Sequence, residues 1–175
     1  MLLSLRVRSL AVIDAVDLEL GAGLNVITGE TGAGKSILIE ALKLVLGGRA
    51  RSDILRAGSD EGVVEALFDL TRAPDLRSRV EAQFGESGDE LVIRRAVRAE
   101  GRSRAWVNGN LATAVQLAEL TRGLVDICSQ HEHHTLGDPA NHLRYLDAFA
   151  RIEAPLRSVA EAWDRCARAT RQLDE

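Results

Sequence analysis

Cysteine, proline and aromatic residues are all scarce in this 175-residue sequence, which contains two cysteines, three prolines and 3% aromatic side chains. The two cysteines, Cys128 and Cys166, lie far apart and do not have the spacing of metal ligands. No apolar run is long enough to cross a membrane, and the first residues lack the charged start and long apolar core of a signal peptide. We therefore expect a protein of the reducing cytoplasm with no membrane partner.

Neither sign of charge dominates, since 22 basic and 26 acidic residues leave a net charge of −4. Such a chain has no bulk attraction to nucleic acid, so any contact with DNA must come from a local patch. Hydrophobic residues make up 46% of the sequence and charged residues 27%, which is ordinary for a soluble globular protein. The length fits one domain with an appendage.

Glycine is plentiful, and three glycines lie in the run Gly29-Glu30-Thr31-Gly32-Ala33-Gly34-Lys35-Ser36, which fits the pattern G-x-x-x-x-G-K-[ST] at every specified position. Glycine lets several backbone N–H groups converge on a polyphosphate, because a Cβ would block the anion. Lys35 is predicted to bind the β- and γ-phosphates, and the Ser36 hydroxyl to bind the bridging Mg²⁺. All eight residues, called the phosphate loop below, are therefore predicted to bind ATP with Mg²⁺.

The residues on either side of the phosphate loop decide whether the match is meaningful. Leu24 to Thr28 is an apolar, β-branched run that predicts a strand, and the run from Ile37 to Leu46 predicts a helix that ends at Gly47-Gly48. The N-terminus of this helix would point its partial positive charge at the phosphates. This order favours a nucleotide site over a structural glycine turn.

Two alternating runs, Leu3 to Val7 and Val16 to Leu20, predict half-buried strands before the phosphate loop. Kinases and small GTPases usually place this loop after their first strand, whereas ATPases of the ABC type form an antiparallel β layer first. The order of elements therefore favours the ABC type. After Gly48, one of Arg49, Arg51 and Arg56 could reach the nucleotide, but a solvated loop explains these residues at least as well.

The middle of the chain predicts more antiparallel sheet. Gly62 to Leu70 has strand character, and Leu91 to Val97 with Ser103 to Val107 predicts a hairpin followed by an Asn108-Gly109 turn. A short helix is predicted between the strand that ends at Leu70 and the hairpin, because Leu76, Val80 and Phe84 fall on one helical face. Five arginines gather in the hairpin: Arg94, Arg95, Arg98, Arg102 and Arg104. A DNA-facing patch would explain them, but we prefer the interpretation that alternation places several on the wet face of a sheet.

After a short helix around Thr113 to Leu120, the run from Leu124 to Cys128 predicts a buried strand that leads into a histidine-rich segment, residues 129–134. Its histidines lack the separated pairs of usual zinc sites, so a polar or nucleotide-sensing loop is the better interpretation.

Asp138-Pro139 predicts a helix start. From Phe149 to Leu173 the apolar positions alternate between steps of 3 and 4, which is the seam of a coiled coil, with a kink or restart at Pro155. An amphipathic helix packed on the domain is the alternative. We therefore divide the chain into a lobe over residues 1–138 and a helix leading into a coiled coil over residues 139–175.

These motifs resemble the N-terminal half of an SMC-like ABC ATPase head, an α/β P-loop NTPase fold with an antiparallel β layer. The likeness covers about residues 1–150. It rests on Leu10 to Asp14, Thr28 to Ser36, Gly47 to Ala50, Arg94-Arg95, Gly101 to Arg104, Val107 to Gly109, and Val125 to Ile127 leading to Gln130-His131-Glu132-His133.

The resemblance assigns a role to Gln130, which matches the glutamine of the family's Q-loop. That residue contacts Mg²⁺ and the attacking water, so Gln130 is the implied catalytic residue and, with Ser36, an implied metal ligand. Cys128-Ser129 departs from the His-Gly that relatives often carry there. The family's Walker B strand, which ends in Asp-Glu, and its Ser-Gly-Gly signature are absent, so the chain looks like the first half of a head.

The resemblance also implies a function for the intact parent, which would hydrolyse ATP to ADP and phosphate and act in DNA double-strand break repair and recombination through ATP-driven head dimerisation. The implied partners are the C-terminal half of the same head, a second head in a homodimer, DNA and a recombinase, at the nucleoid in the cytoplasm. The alternatives are an ABC transporter-type ATPase subunit and a structural module that binds nucleotide without turnover.

Overall fold

A computed structural model describes residues 1–30, 34–85, 88–125, 127, 139–150 and 152–174. The chain divides into two compact units, Met1–Val125 and Asp126–Glu175. The boundary expected from the sequence, between residues 138 and 139, stays a prediction.

The first unit is built on a six-stranded antiparallel sheet with the strand order β2-β1-β3-β4-β5-β6. Its strands are β1 (Leu2–Leu10), β2 (Ile13–Glu19), β3 (Glu61–Asp69), β4 (Glu90–Arg98), β5 (Ser103–Val107) and β6 (Asn110–Ala112). The five strands predicted from alternation and from the hairpin pattern are confirmed. The Asn-Gly turn is confirmed as well, because Asn108 and Gly109 both have positive φ angles and join β5 to β6.

The described residues of the first unit also form three α-helices and a short 3-10 helix (Ser52–Ile54). The α-helices are α1 (Lys35–Val45), α2 (Pro74–Phe84) and α3 (Ala114–Leu120). Helix α1 contacts β1, β3 and β4, and α3 contacts β5. Alternate residues of the central strands form the core with these helices, among them Val7, Phe68, Ile93, Val45 and Leu117. The opposite face of the sheet carries charged side chains such as those of Arg6, Glu65 and Arg94, whose backbones pair across β1, β3 and β4.

The strand expected immediately before the phosphate loop is absent, so that prediction is wrong. Leu24 to Thr28 belongs to no strand, and the side chains of Leu24 and Val26 are 90% and 71% exposed. A strand needs the N–H and C=O groups of a neighbour. No described strand pairs with this segment, which explains why an apolar, β-branched run fails to form one here.

The strand predicted over Leu124 to Cys128 is also wrong where the structure describes it. Leu124 lies in a turn, and Val125 and Ile127 belong to no strand. Leu124 and Val125 pack against the core instead, so their apolar character serves packing rather than pairing. Asp126 and Cys128 lie outside the described residues.

The second unit contains α4 (Pro139–Ala150) and α5 (Glu153–Asp174), so the predicted helix start at Pro139 is confirmed. Helix α5 has Pro155 in its first turn, where the missing N–H of proline removes no helical hydrogen bond, and the predicted restart is thereby confirmed. The seam residues Leu156, Val159 and Trp163 are exposed. Their pairing in a coiled coil stays a prediction. None of the described helices combines the length and apolarity needed to cross a membrane.

Candidate nucleotide-binding site

The N-terminus of α1 forms the centre of the site. Gly34 caps the helix in the left-handed conformation, with a φ of 97°, which favours glycine. The cap makes no side-chain hydrogen bond and the first turn contains no acidic residue. The first backbone N–H groups of a helix have no partner within the helix, so this end can receive an anion.

Lys35 lies across the start of the phosphate loop. Its Nζ donates hydrogen bonds to the carbonyl oxygens of Gly29 and of Glu30, the latter at 2.8 Å. The ammonium group is therefore held at the helix N-terminus by weak neutral acceptors, which a phosphate oxygen can replace with a stronger, charge-assisted bond. Ser36 is exposed in the first turn of α1.

The structure describes five of the nine predicted site residues: Gly29, Glu30, Gly34, Lys35 and Ser36. It brings Gly29, Glu30 and Lys35 into direct contact. Thr31, Gly32, Ala33 and Gln130 lie outside the described residues, as does the histidine-rich segment. The role of Gln130 as a metal ligand and catalytic residue stays a prediction. Among the described residues, no group of His, Cys, Asp and Glu side chains could hold a metal ion by itself.

The turn between β1 and β2 packs against Gly34. A Cβ built on Gly34 would lie 3.1 Å from Cγ1 of Ile13 and 3.5 Å from Cγ2 of Val12. Ser9, near the end of β1, and Ala11, in the turn, both lie in the left-handed region, with φ angles of 55° and 46°. Sequence reasoning missed this contact, although the segment Leu10 to Asp14 formed part of the family resemblance.

The three arginines that follow α1 differ in their surroundings. Arg56 donates a hydrogen bond from Nη1 to the carbonyl oxygen of Val12 at 3.1 Å. Arg51 is exposed and contacts Asp53 at 2.5 Å, two residues further along the chain. Arg49 is also exposed. The interpretation as a solvated loop therefore fits Arg49 and Arg51, whereas Arg56 contacts the turn beside the phosphate loop.

The hairpin arginines are mostly on the solvent-facing side of the sheet, as we preferred from the sequence. Arg94 lies 3.4 Å from Glu65 and Arg98 lies 2.7 Å from Glu61, both across β3 and β4. The guanidinium of Arg94 also stacks 5.3 Å from the ring centre of Trp106. Arg102 and Arg104 are exposed too. Arg95 is the exception, because its side chain is buried on the core side.

Comparison with known proteins places the chain in a family. Residues 4–139 match the AAA domain family. The chain belongs to this family. Membership in the AAA domain family implies nucleotide binding, typically with Mg²⁺, which agrees with the position of Lys35.

Among curated proteins, this AAA domain is similar to the DNA repair protein RecN of two bacteria. The protein of Xylella fastidiosa strain Temecula1 is 40% identical over 162 residues, which are 93% of this chain and 29% of that protein. The protein of Bacillus subtilis strain 168 is 37% identical over 178 residues, which cover 100% of this chain and 31% of that protein. The chain thus spans about 30% of the length of these relatives.

A solved structure from work on ATP-driven dimerization and DNA-stimulated activation of SMC ATPases has the same fold. It is 28% identical with a TM-score of 0.57, and the match covers 69% of this chain and 77% of that chain. The predicted fold class, a P-loop NTPase of the SMC head type with an antiparallel β layer, is confirmed. The resemblance to the N-terminal half of an SMC-like head is confirmed as well, and within that group the relatives are RecN proteins.

Proposed function

We propose that this chain is the ATP-binding N-terminal part of an SMC-like ATPase head whose parent acts in DNA double-strand break repair and recombination. The observation that carries the proposal is the position of Lys35, the first residue of α1, whose ammonium group donates hydrogen bonds to the carbonyl oxygens of Gly29 and Glu30. The relatives support the repair role because both are DNA repair proteins. These relatives also disfavour the alternative function, an ABC transporter-type ATPase subunit.

In this proposal several residues of the chain share the binding of Mg·ATP. The N-terminal amides of α1 and the Lys35 ammonium neutralise the β- and γ-phosphates, and the Ser36 hydroxyl binds Mg²⁺. Gln130 orders the metal and the attacking water. Bound Mg²⁺ would stabilise the charge that develops on the transferred phosphoryl group.

The proposal assigns turnover to an assembly larger than this chain. Its partners are the C-terminal half of the same head and a second head, which meet when ATP binds, and the parent further engages DNA and a recombinase in the cytoplasm at the nucleoid. The exposed apolar side chains of Leu24, Val26 and Ile27 support the first of these partners, because they are available to pack against additional strands of the head.

A Lys35→Ala variant tests the nucleotide site. We expect it to lose measurable Mg·ATP binding in calorimetric titration, because the phosphates lose their only side-chain cation in the loop, while the thermal midpoint without nucleotide stays unchanged. Lys43→Ala is the matched control, since Lys43 lies in the last turn of the same helix. If Lys35→Ala bound Mg·ATP as tightly as the wild type, the site assignment would be wrong.

A further inference from the structure

The outward face of the β4–β5 hairpin carries a narrow groove with a volume of about 190 Å³. Ala96 lies on this face of β4, on the same side as Arg94 and Arg98, yet only 4% of it is exposed, so it forms the floor of the groove. Pockets that enclose small-molecule ligands usually measure roughly 300 Å³ or more. This groove is therefore too small to enclose a cofactor, and it suits a few side chains of a segment laid across the sheet.

Two of the arginines that line the groove already have acidic partners. Nε of Arg98 lies 2.7 Å from Oε2 of Glu61, and Nε of Arg94 lies 3.4 Å from Oε1 of Glu65. Each ion pair neutralises its arginine and holds the guanidinium at the wall of the groove. Arg94 and Arg98 therefore shape the groove and add little net charge to it.

Arg102 and Arg104 also line the groove, and both are exposed. Within the part of the chain that the structure describes, neither guanidinium has an acidic partner. A guanidinium carries five N–H donors and no acceptor. The donors of these two arginines are therefore open to an acceptor from outside the chain.

Arg102, Arg104 and Trp106 form a row along one side of the groove, because residues two apart in an extended chain point to the same face. The repeat of such a row is about 6.7 Å, which is twice the rise per residue of an extended chain. A second extended chain with carboxylates two residues apart has the same repeat. Each carboxylate can accept two parallel hydrogen bonds from one guanidinium, so the row matches acidic residues at alternate positions.

Trp106 ends the row with an apolar surface. Its side chain is partly buried, and the guanidinium of Arg94 stacks 5.3 Å from the ring centre, which holds the ring in place. A large aromatic ring at the rim of a charged groove favours an apolar neighbour. The residue that follows the two carboxylates at the same spacing is therefore expected to be apolar.

The glutamates of the groove distinguish an acidic peptide from DNA. Glu61 and Glu100 line the groove together with the arginines. Duplex DNA carries one negative charge per about 1.7 Å of its axis, so its phosphates cannot avoid these two carboxylates. A peptide carries charge only at its acidic residues, and neutral residues can lie opposite the glutamates. The groove therefore suits a peptide better than a continuous polyanion.

We propose that this groove binds an extended acidic segment of a partner protein. Its carboxylates, two residues apart, pair with Arg102 and Arg104, and an apolar side chain at the next alternate position packs on Trp106. The proposal concerns the outward face of the sheet and does not depend on the nucleotide site.

A titration of the 175-residue chain with the heptapeptide Leu-Thr-Glu-Thr-Glu-Thr-Leu, blocked at both ends, tests the proposal. The peptide reads the same in both directions, so it can place both carboxylates and one leucine on the row in either orientation. We expect it to shift the NMR signal of the Trp106 indole N–H and to leave that of Trp163 unchanged. A peptide with glutamine at both glutamate positions should bind roughly tenfold more weakly, since two exposed ion pairs are lost.

Variants of the chain locate the binding surface. Arg102→Gln combined with Arg104→Gln should weaken binding of the heptapeptide roughly tenfold. Arg49→Gln combined with Arg51→Gln is the matched control, because it removes the same charge from two exposed arginines two residues apart, and it should bind like the wild type. Glu100→Gln should about double the affinity, since it removes a like charge from the groove. Damage to the fold would not strengthen binding.

Equal affinity for the glutamate and glutamine peptides would overturn the proposal, and so would wild-type affinity in the Arg102 and Arg104 double variant. The peptide comparison uses the wild-type chain, so it decides the matter even if the double variant fails to fold. A short DNA duplex is titrated in parallel. If the duplex shifted the Trp106 signal at a lower concentration than the heptapeptide, the groove would be a nucleic-acid surface and the proposal would be wrong.

Discussion

Arg95 donates a hydrogen bond from Nη2 to the hydroxyl oxygen of Ser103 at 3.0 Å, and its Nε and Nη1 have no acceptor among the described residues. The side chain is only 2% exposed and lies on the core side of β4, between Val64 of β3 and Ala105 of β5. Burial lowers the pKa of Arg95, because desolvation penalises its charged form. The guanidinium therefore occupies an apolar site with too few partners.

Replacing Arg95 by methionine is expected to raise the free energy of unfolding by about 1 kcal/mol or more, because an apolar chain of similar length avoids the cost of burying an unpaired charge. Chemical denaturation of the 175-residue chain measures the change. Arg104→Met is the control, since Arg104 is exposed on the neighbouring strand, and it should show no measurable effect. A loss of stability in Arg95→Met would mean that Nε and Nη1 find acceptors outside the described residues.

Arg95 also shows what alternation could and could not predict. The period of two places Arg95 on the same face as Leu91, Ile93 and Val97, so the sequence contained the signal for its inward position. The sequence analysis treated the five hairpin arginines as one group and so overlooked the inward position of Arg95. What the sequence could not provide is the space that admits a guanidinium, which depends on the small Ala105 opposite it on β5.

The failed strand before the phosphate loop has a different cause. Alternation and apolar runs indicate which residues can be buried. This information was enough to predict β1, β3 and the hairpin, because the strands that pair with them all lie in the described part of the chain. Pairing itself is non-local, so Leu24 to Thr28 cannot become a strand without a neighbour. The packing of Ile13 on Gly34 was equally hidden, because it joins residues that no local pattern connects.

Gly47→Ala is expected to destabilise the first unit strongly. Gly47 has a φ of 89°, and a Cβ there would lie 2.5 Å from the backbone nitrogen of Ala118, so the end of α1 would have to move away from α3. Gly101→Ala is the matched control, because Gly101 also has a positive φ but nothing lies within 4 Å of its Cβ position. We expect Gly47→Ala to lower the free energy of unfolding by about 2 kcal/mol more than Gly101→Ala. Equal losses would show that α1 and α3 separate easily.

Charge reversal at Arg102 and Arg104 is expected to leave Mg·ATP affinity unchanged and to alter DNA binding little. These residues line a groove with Arg94, Arg98, Glu61 and Glu100, and Glu65 contacts Arg94 beside it, so four arginines meet three glutamates. Because the positive and negative charges on this face nearly cancel, it attracts DNA phosphates only weakly. Fluorescence anisotropy across a salt series measures the effect. A large loss of affinity, with a salt slope reduced by about two, would instead make the hairpin a DNA contact surface.

The last prediction concerns turnover, which we expect to be negligible in the 175-residue chain. Hydrolysis needs an acidic residue that holds the metal, and the described candidate, Asp69, is badly placed. Hydrogen bonds from the side chain of Thr71 and from its N–H, which donates to Oδ1 of Asp69 at 2.8 Å, lower the pKa of Asp69. Asp69 lies at the end of β3, where its N–H donates to the carbonyl oxygen of Met1, whereas Gly34 lies against Ile13 beyond the other end of β1, roughly 25 Å away for a strand of that length.

Adding the C-terminal half of the head in trans should therefore restore hydrolysis, because in the proposed assembly that half supplies the missing acid. The rate should rise more than linearly with protein concentration, since the proposal requires two heads to meet. In the restored assembly Gln130→Ala should lower kcat and leave Mg·ATP affinity near the wild-type value, because its implied role is to order the metal and the attacking water. Phosphate release assays over a concentration series measure both effects. First-order hydrolysis by the chain alone, abolished by Lys35→Ala so that a contaminating ATPase is excluded, would refute the division of the active site between the two halves.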